Sequence, residues 1–183
     1  MMKQEKNPWK TLSEKVVYSN NWIDVIHKDV LNPNGNPGIY GQVNFKNIAI
    51  GVIPVDNEGF TWLVGQYRFP LEEYSWEIPE GGCPEGEDYL SAAMRELKEE
   101  TGLEADSYEL ISKIHTSNSV CNEVAYIYLA RGIKQGEAEP EDTEQLQVKR
   151  VLLSEAVQLV MENRITDSMS VTGLLKAARI LNL

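Results

Sequence analysis

Four acids and one base stand at fixed spacing near the middle of the chain and could do chemistry together. Glu96, Glu99 and Glu100 are related as i, i+3 and i+4, Arg95 directly precedes them, and Glu87 lies further back at the start of the same segment. At about 100° per residue, a helix carries the three glutamates at roughly 0°, −60° and +40°, so their carboxylates share about a 100° arc. Like charges at that spacing repel. A cation among them removes the repulsion, and hard divalent ions that prefer oxygen, Mg²⁺ or Mn²⁺, suit such a set. Arg95 can pair with a carboxylate and fix its direction through forked donors. The plainer reading of an acidic run is a solvated helix face with incidental ion pairs.

The elements around these residues must position them. Leu90, Ala93, Met94 and Leu97 fall between roughly 60° and 160° on the same wheel, which predicts an apolar stripe beside the acidic one. Gly81 is expected to supply a close backbone turn into the helix. Glu87 lies near the positive helix end, and Gly102 can terminate the helix as a C-cap.

The full spacing is Gly81, five residues, Glu87, seven residues, then Arg95-Glu96-Leu97-Lys98-Glu99-Glu100-Thr101-Gly102-Leu103. It resembles the Nudix box at every defined position. The resemblance covers roughly residues 45 to 180 and implies an α/β fold of the Nudix type, a mixed β-sheet in an α/β/α sandwich. A small antiparallel β unit is expected ahead of it. The division implied is 1–45 for the N-terminal β unit, serving dimerisation and base binding, and 46–183 for the catalytic domain.

Within that superfamily the chain is most similar to the ADP-ribose pyrophosphatase and nucleoside diphosphate sugar hydrolase branch. The N-terminal β unit, the Gln66-Tyr67-Arg68 segment with Trp76-Glu77-Ile78-Pro79 before the box, and an acidic loop followed by Glu144-Gln145-Leu146-Gln147-Val148 carry the placement. The branch usually has alanine before the box glycine, where this chain has Glu80.

The resemblance implies metal-dependent hydrolysis of a nucleoside diphosphate sugar, of ADP-ribose or GDP-mannose type, to a nucleoside monophosphate and a sugar phosphate. Mg²⁺ is the expected ion, with Mn²⁺ as a substitute. Glu96 and Glu100 correspond to the main side-chain ligands, Glu99 is shared or one step removed, and the Glu80 backbone carbonyl adds an oxygen. Glu87 is expected to orient Arg95. The general base is expected in the acidic loop, with Glu141 or Asp142 as base and Glu144 metal-associated; Glu123 is a further candidate. Arg68 is the implied diphosphate contact, because a guanidinium grips phosphate oxygens through paired donors, and Glu77 is a further implied substrate-binding residue. A surface salt bridge of Arg68 with Glu72 or Glu73 is the alternative. Trp22 or Tyr18 could stack on the base or be buried between subunits of the implied homodimer. Hydrolysis of another nucleotide, such as a dinucleotide polyphosphate or a nucleoside triphosphate, and a non-catalytic ADP-ribose-type sensor are the competing readings.

The rest of the chain agrees with one catalytic domain and a small appendage. It has 183 residues and a formal net charge of −11, which argues against non-specific binding to nucleic acid. Two cysteines, Cys83 and Cys121, provide neither metal-ligand spacing nor a disulfide framework. The N-terminal residues lack a signal-peptide core and no apolar run reaches membrane length, so a soluble cytoplasmic protein is the expectation. His27 and His115 read as plain strand residues.

Strands are expected at Lys15–Ser19, Trp22–Val30 and Tyr40–Phe45, with turns at Asn20-Asn21 and Asn32–Gly38. Ile48–Val55 reads as a buried central strand, joined to Phe60–Tyr67 through Asp56-Asn57-Glu58-Gly59. Trp76–Pro79, Tyr108–Thr116, Glu123–Arg131 and Leu146–Leu153 are further apolar segments of strand type. Two helices close the chain at Ser154–Asn163 and Ser170–Leu181, with Ser154 and Ser170 as expected N-caps.

Overall fold

Alternation and turn chemistry build the first part of the chain. The computed structural model describes residues 6–136 and 146–183. These fall into two units, Met1–Asn47 with Ser117–Glu123, and Ile48–Thr116 with Val124–Leu183. In the first unit β1 (Lys10–Ser19), β2 (Ile23–Leu31) and β3 (Pro37–Phe45) form an antiparallel sheet in the order β1-β2-β3. Asn20 closes the first hairpin, its Oδ1 accepting from the backbone N–H groups of Trp22 and Ile23 at 2.8 Å each. Asn32 does the same for the second loop, accepting from Asn34 and Asn36. That tight loop lets β3 begin at Pro37, three residues earlier than the sequence suggests, and proline is tolerated there as the first residue of an edge strand. Residues 117–123 return to β3, where Val43 N–H donates to Val120 O and Asn122 N–H to Val43 O.

The second unit holds the acidic helix. Its sheet runs β10 (Gln147–Leu152), β5 (Phe60–Arg68), β4 (Ile48–Val55), β9 (Val124–Gln135), β8 (Leu103–His115). β4 lies parallel to β9, and the β5–β10 and β8–β9 pairs are antiparallel, so the sheet is mixed. The continuous apolar run of β4 follows from burial on both faces. Ile50 and Val52 pack with Ala92, Ala93 and Leu97 of α1 (Tyr89–Thr101) on one side. Ile53 and Val55 pack on the other with Ala156 and Val160 of α2 (Leu153–Met161) and Leu174 and Ala177 of α3 (Ser168–Ile180). The result is helix, sheet, helix. No helix among the described residues is long and apolar enough to cross a membrane.

One irregularity of this sheet makes room for the site. β4 pairs with β5 only at Val55 and Thr61, next to the hairpin turn. Beyond that point the two strands part, and β6 (Glu73–Glu77) and β7 (Glu80–Cys83) enter the gap, β6 on β5 and β7 on β4. The expected strand Trp76–Pro79 is therefore split. Ile78 and Pro79 form the crossing between β6 and β7, with Pro79 O accepting from Val52 N–H.

Both expected serine caps move. α2 is preceded by Leu152 and has no side-chain cap, while α3 is capped by Asp167, whose Oδ2 accepts from Ser170 N–H at 2.7 Å. Ser170 lies within the first turn, fully buried, and its hydroxyl accepts from Ile78 N–H at 2.9 Å.

Candidate active site

The box helix is fixed at both ends before any ligand is considered. Asp88 caps its N-terminus, accepting from Ser91 N–H at 3.0 Å. Gly102 ends it with φ 71°, a left-handed conformation that suits glycine, and donates its N–H to Lys98 O.

The helix face differs from the wheel. Ala92, Ala93 and Leu97 are buried, but so are Glu96 and Glu100, whereas Leu90 and Met94 are 40% and 49% exposed. The packed stripe and the acidic stripe thus overlap. The cause is β7, which lies against α1 and brings backbone donors and open space to the acids. Glu100 Oε2 accepts from Glu80 N–H at 2.9 Å. Glu96 occupies the space above Gly81: a Cβ added there would lie 2.2 Å from the Glu96 carboxyl carbon. Gly81 therefore serves close approach within a strand, and the turn expected of it is not formed there. φ is not positive at Gly81; among the box glycines the left-handed values are at Gly86 and Gly102.

Arg95 binds this cluster together. Nε and Nη2 donate to the two oxygens of Glu87 at 3.0 and 2.9 Å, Nη1 donates to Glu96 Oε1 at 2.7 Å and Glu99 Oε2 at 2.8 Å, and Nη2 also reaches Gly82 O at 2.9 Å. The hydrogen bond from Arg95 holds the Glu87 carboxyl below its ordinary range, and Glu87 in turn raises the guanidinium. With all its donors engaged, Arg95 positions acids and strand; it is not placed as a reacting group.

A second arginine lies on the adjoining strand. Arg68 Nε donates to both oxygens of Glu77 at 3.0 Å, and its Nη2 bonds both Glu77 Oε2 and, at 2.8 Å, Glu80 Oε1. The pairing with Glu72 or Glu73 does not occur, because the Arg68 side chain turns inward to buried Glu77. Glu77 is only 3% exposed, and both its oxygens accept from Arg68. Burial alone would lower the Arg68 guanidinium, but the hydrogen bonds and charge of Glu77, with Glu80 and Asp167, carry it upward. Burial pushes the Glu80 carboxyl well above the carboxylate range, and the charges of Asp167 and Glu77 add to the effect.

Asp167 was not singled out by sequence reasoning, and Ser170 was read there only as an N-cap. Their elements meet the pre-box crossing only through the fold, although Asp167 ahead of an apolar helix is a legible N-cap signal. Glu141, Asp142 and Glu144 lie outside the described residues. Glu123 directly precedes β9, and Tyr18 and Trp22 are exposed on the N-terminal sheet. Cys83 is buried, and burial pushes its thiol up, as befits a small core residue.

The residue types fit a hard divalent cation. Glu80, Glu96, Glu99 and Glu100 offer oxygen donors, and Glu80 Oε2 is buried without a hydrogen-bond partner among the described residues. No group of three or more His, Cys, Asp or Glu side chains converges as a metal cage among the described residues. Arg95 supplies positive charge to Glu96 and Glu99 in this arrangement.

Comparison with known proteins gives the class. Residues 45–169 match the NUDIX domain and residues 9–43 the nucleoside diphosphate sugar hydrolase N-terminal domain. The chain belongs to the Nudix family of pyrophosphohydrolases. It is similar to the ADP-ribose pyrophosphatase of Bacillus subtilis (strain 168), with 32% identity over 161 residues, 87% of this chain and 86% of that one. It is also similar to the methanol dehydrogenase activator of Bacillus methanolicus, with 35% identity over 164 residues, 88% of each chain. Its fold matches a solved structure described as an ADP compounds hydrolase, with a TM-score of 0.86, 22% identity, and coverage of 98% and 97%.

Proposed function

We propose that this Nudix protein hydrolyses the diphosphate of a nucleoside diphosphate sugar, of ADP-ribose or GDP-mannose type, using Mg²⁺ or Mn²⁺. One observation carries the reading: the box carboxylates and Arg68 meet through a single residue, Glu80, so cation-binding and anion-binding groups stand together. The similarity to the Bacillus subtilis ADP-ribose pyrophosphatase and the match to the sugar-hydrolase N-terminal domain support the substrate class.

A bound divalent cation neutralises diphosphate oxygens and makes its water more acidic. The chain's own part begins with Glu96, Glu99 and Glu100, which would hold the cation, with the carbonyl of Glu80 assisting. Arg68 grips the diphosphate while Glu77 keeps its fork in place. Glu141 or Asp142 would take the proton of the attacking water, with Glu144 as the metal-associated acid of the same segment and Glu123 as the further candidate base. The new bond joins the water oxygen to one phosphorus, the bridging P–O bond breaks, and a nucleoside monophosphate and a sugar phosphate leave.

Trp22 or Tyr18 stacks on the base, in a homodimer to which the N-terminal sheet contributes. All ten residues of β1 are exposed, with Leu12, Val16 and Tyr18 among them, which supports burial by a second copy. Light scattering on the intact protein should give twice the chain mass.

The direct test is a panel of ADP-ribose, GDP-mannose, other nucleoside diphosphate sugars, dinucleotides and triphosphates with Mg²⁺. Monophosphate release should be fastest from a diphosphate sugar and should stop with chelator. Faster turnover of triphosphates would sink the substrate class, and chelator-resistant turnover would sink the metal.

A further inference from the structure

We propose that Glu80 is a positioning residue that couples the cation site to Arg68, so that cation and diphosphate each strengthen binding of the other. The inference rests on the metal-dependent reading above.

Glu80 touches both halves of the site with different atoms. Its N–H donates to Glu100 Oε2 at 2.9 Å, its Oε1 accepts from Arg68 Nη2 at 2.8 Å, and its Oε2 is buried with no hydrogen-bond partner among the described residues. A buried carboxyl oxygen with no hydrogen-bond partner is costly to leave unmet. A cation beside Glu100 is the kind of group that would meet it.

Arg68 is built to survive a change at Glu80. Glu77 holds it through Nε and Nη2, and Nη1 makes no hydrogen bond among the described residues. Arg68 also feels the charge of Asp167, so one guanidinium serves three acids. Glu80 is the exchangeable partner of the three, because Asp167 already caps α3 and Glu77 is committed with both oxygens. A cation on Oε2 draws charge away from Oε1 and leaves Arg68 less neutralised, hence a stronger site for a diphosphate. Conversely, an anion on Arg68 frees the Glu80 carboxyl group for the cation. Such coupling must be reciprocal.

The test is Mn²⁺ binding to the intact protein without substrate, read by electron paramagnetic resonance. Glu80→Ala should weaken Mn²⁺ binding about fivefold, the lower end of typical coupling. Its Tm should hold, because the change removes an unsatisfied buried oxygen. Arg68→Gln should tighten Mn²⁺ binding about fivefold in the native background and by less than about twofold in Glu80→Ala. Arg68→Lys, whose single ammonium cannot serve Glu77 and Glu80 as a fork does, should follow the same pattern more weakly and replaces the glutamine if that variant does not fold.

Native-like Mn²⁺ binding in Glu80→Ala, or an equal effect of the Arg68 change in both backgrounds, overturns the coupling. Glu100→Gln separates the two claims. If it abolishes Mn²⁺ binding while Glu80→Ala does not weaken it, only the coupling fails; if native protein binds no Mn²⁺, both readings fail.

Discussion

Two arginines organise neighbouring parts of this site and do so differently. Arg95 draws its partners from one continuous segment, Gly82 to Glu99, and spends its donors on Glu87, Glu96, Glu99 and a strand carbonyl. Arg68 draws on β6 and β7 through Glu77 and Glu80, with Asp167 of the α3 cap adding its charge, and keeps Nη1 without a hydrogen bond among the described residues. The saturated arginine acts as a cross-link. The partly engaged one retains capacity for an anion. Saturation of donors, more than charge, separates the scaffold arginine from the proposed ligand contact.

Substitutions can break or sharpen that contrast, and the largest effect belongs to the helix acid that accepts from Glu80 N–H. Glu100→Gln should lower Mg²⁺-dependent turnover by about a hundredfold with little change in Tm, since cation positioning contributes several kcal/mol. Near-normal steady-state activity in this variant would remove Glu100 from the cation set.

Arg95→Ala comes next. It leaves Glu96 and Glu99 without their common partner and should cost about 2 kcal/mol in urea unfolding, below the range for fully buried pairs because Arg95 is partly exposed. A loss of activity without loss of stability would make Arg95 a reacting group and erase the contrast with Arg68.

Gly81→Ala forces the Glu96 carboxylate aside and should reduce turnover about tenfold, consistent with the cost of small misplacements. A structure of the variant with Glu96 unmoved would contradict it. The smallest change is Ser170→Ala, which strips Ile78 N–H of its acceptor. It should destabilise by about 1 kcal/mol in the same unfolding assay. Any rise in KM there would show that α3 reaches Arg68 through the pre-box crossing.

The legible parts share a property: their partners are close in sequence. Fixed spacing is enough to place Glu87, Arg95, Glu96, Glu99 and Glu100 on or beside one helix, and local turn chemistry is enough for Asn20 and Asp56. Asp56 accepts from Glu58 and Phe60 N–H within its own hairpin. Where the wheel erred, at Leu90 and Met94, the direction of helix docking decided, and helical periodicity does not specify which stripe a neighbouring strand will cover. The same holds for Gly81. Its glycine reads as a turn until β7 is seen against α1, and then it reads as space for a carboxylate.

Sequence by itself determined the family, the mixed α/β architecture and the acids of the box, because a helical repeat and a fixed motif bring those groups together within a few turns. Only the tertiary structure decided what Arg68 holds, why Glu80 stands between two clusters, and how Ser170 supports Ile78. Those contacts arise where β4 and β5 separate and β6, β7 and α3 meet in the gap. Ser170 lies 92 positions from Ile78, and no local propensity records a meeting of that range.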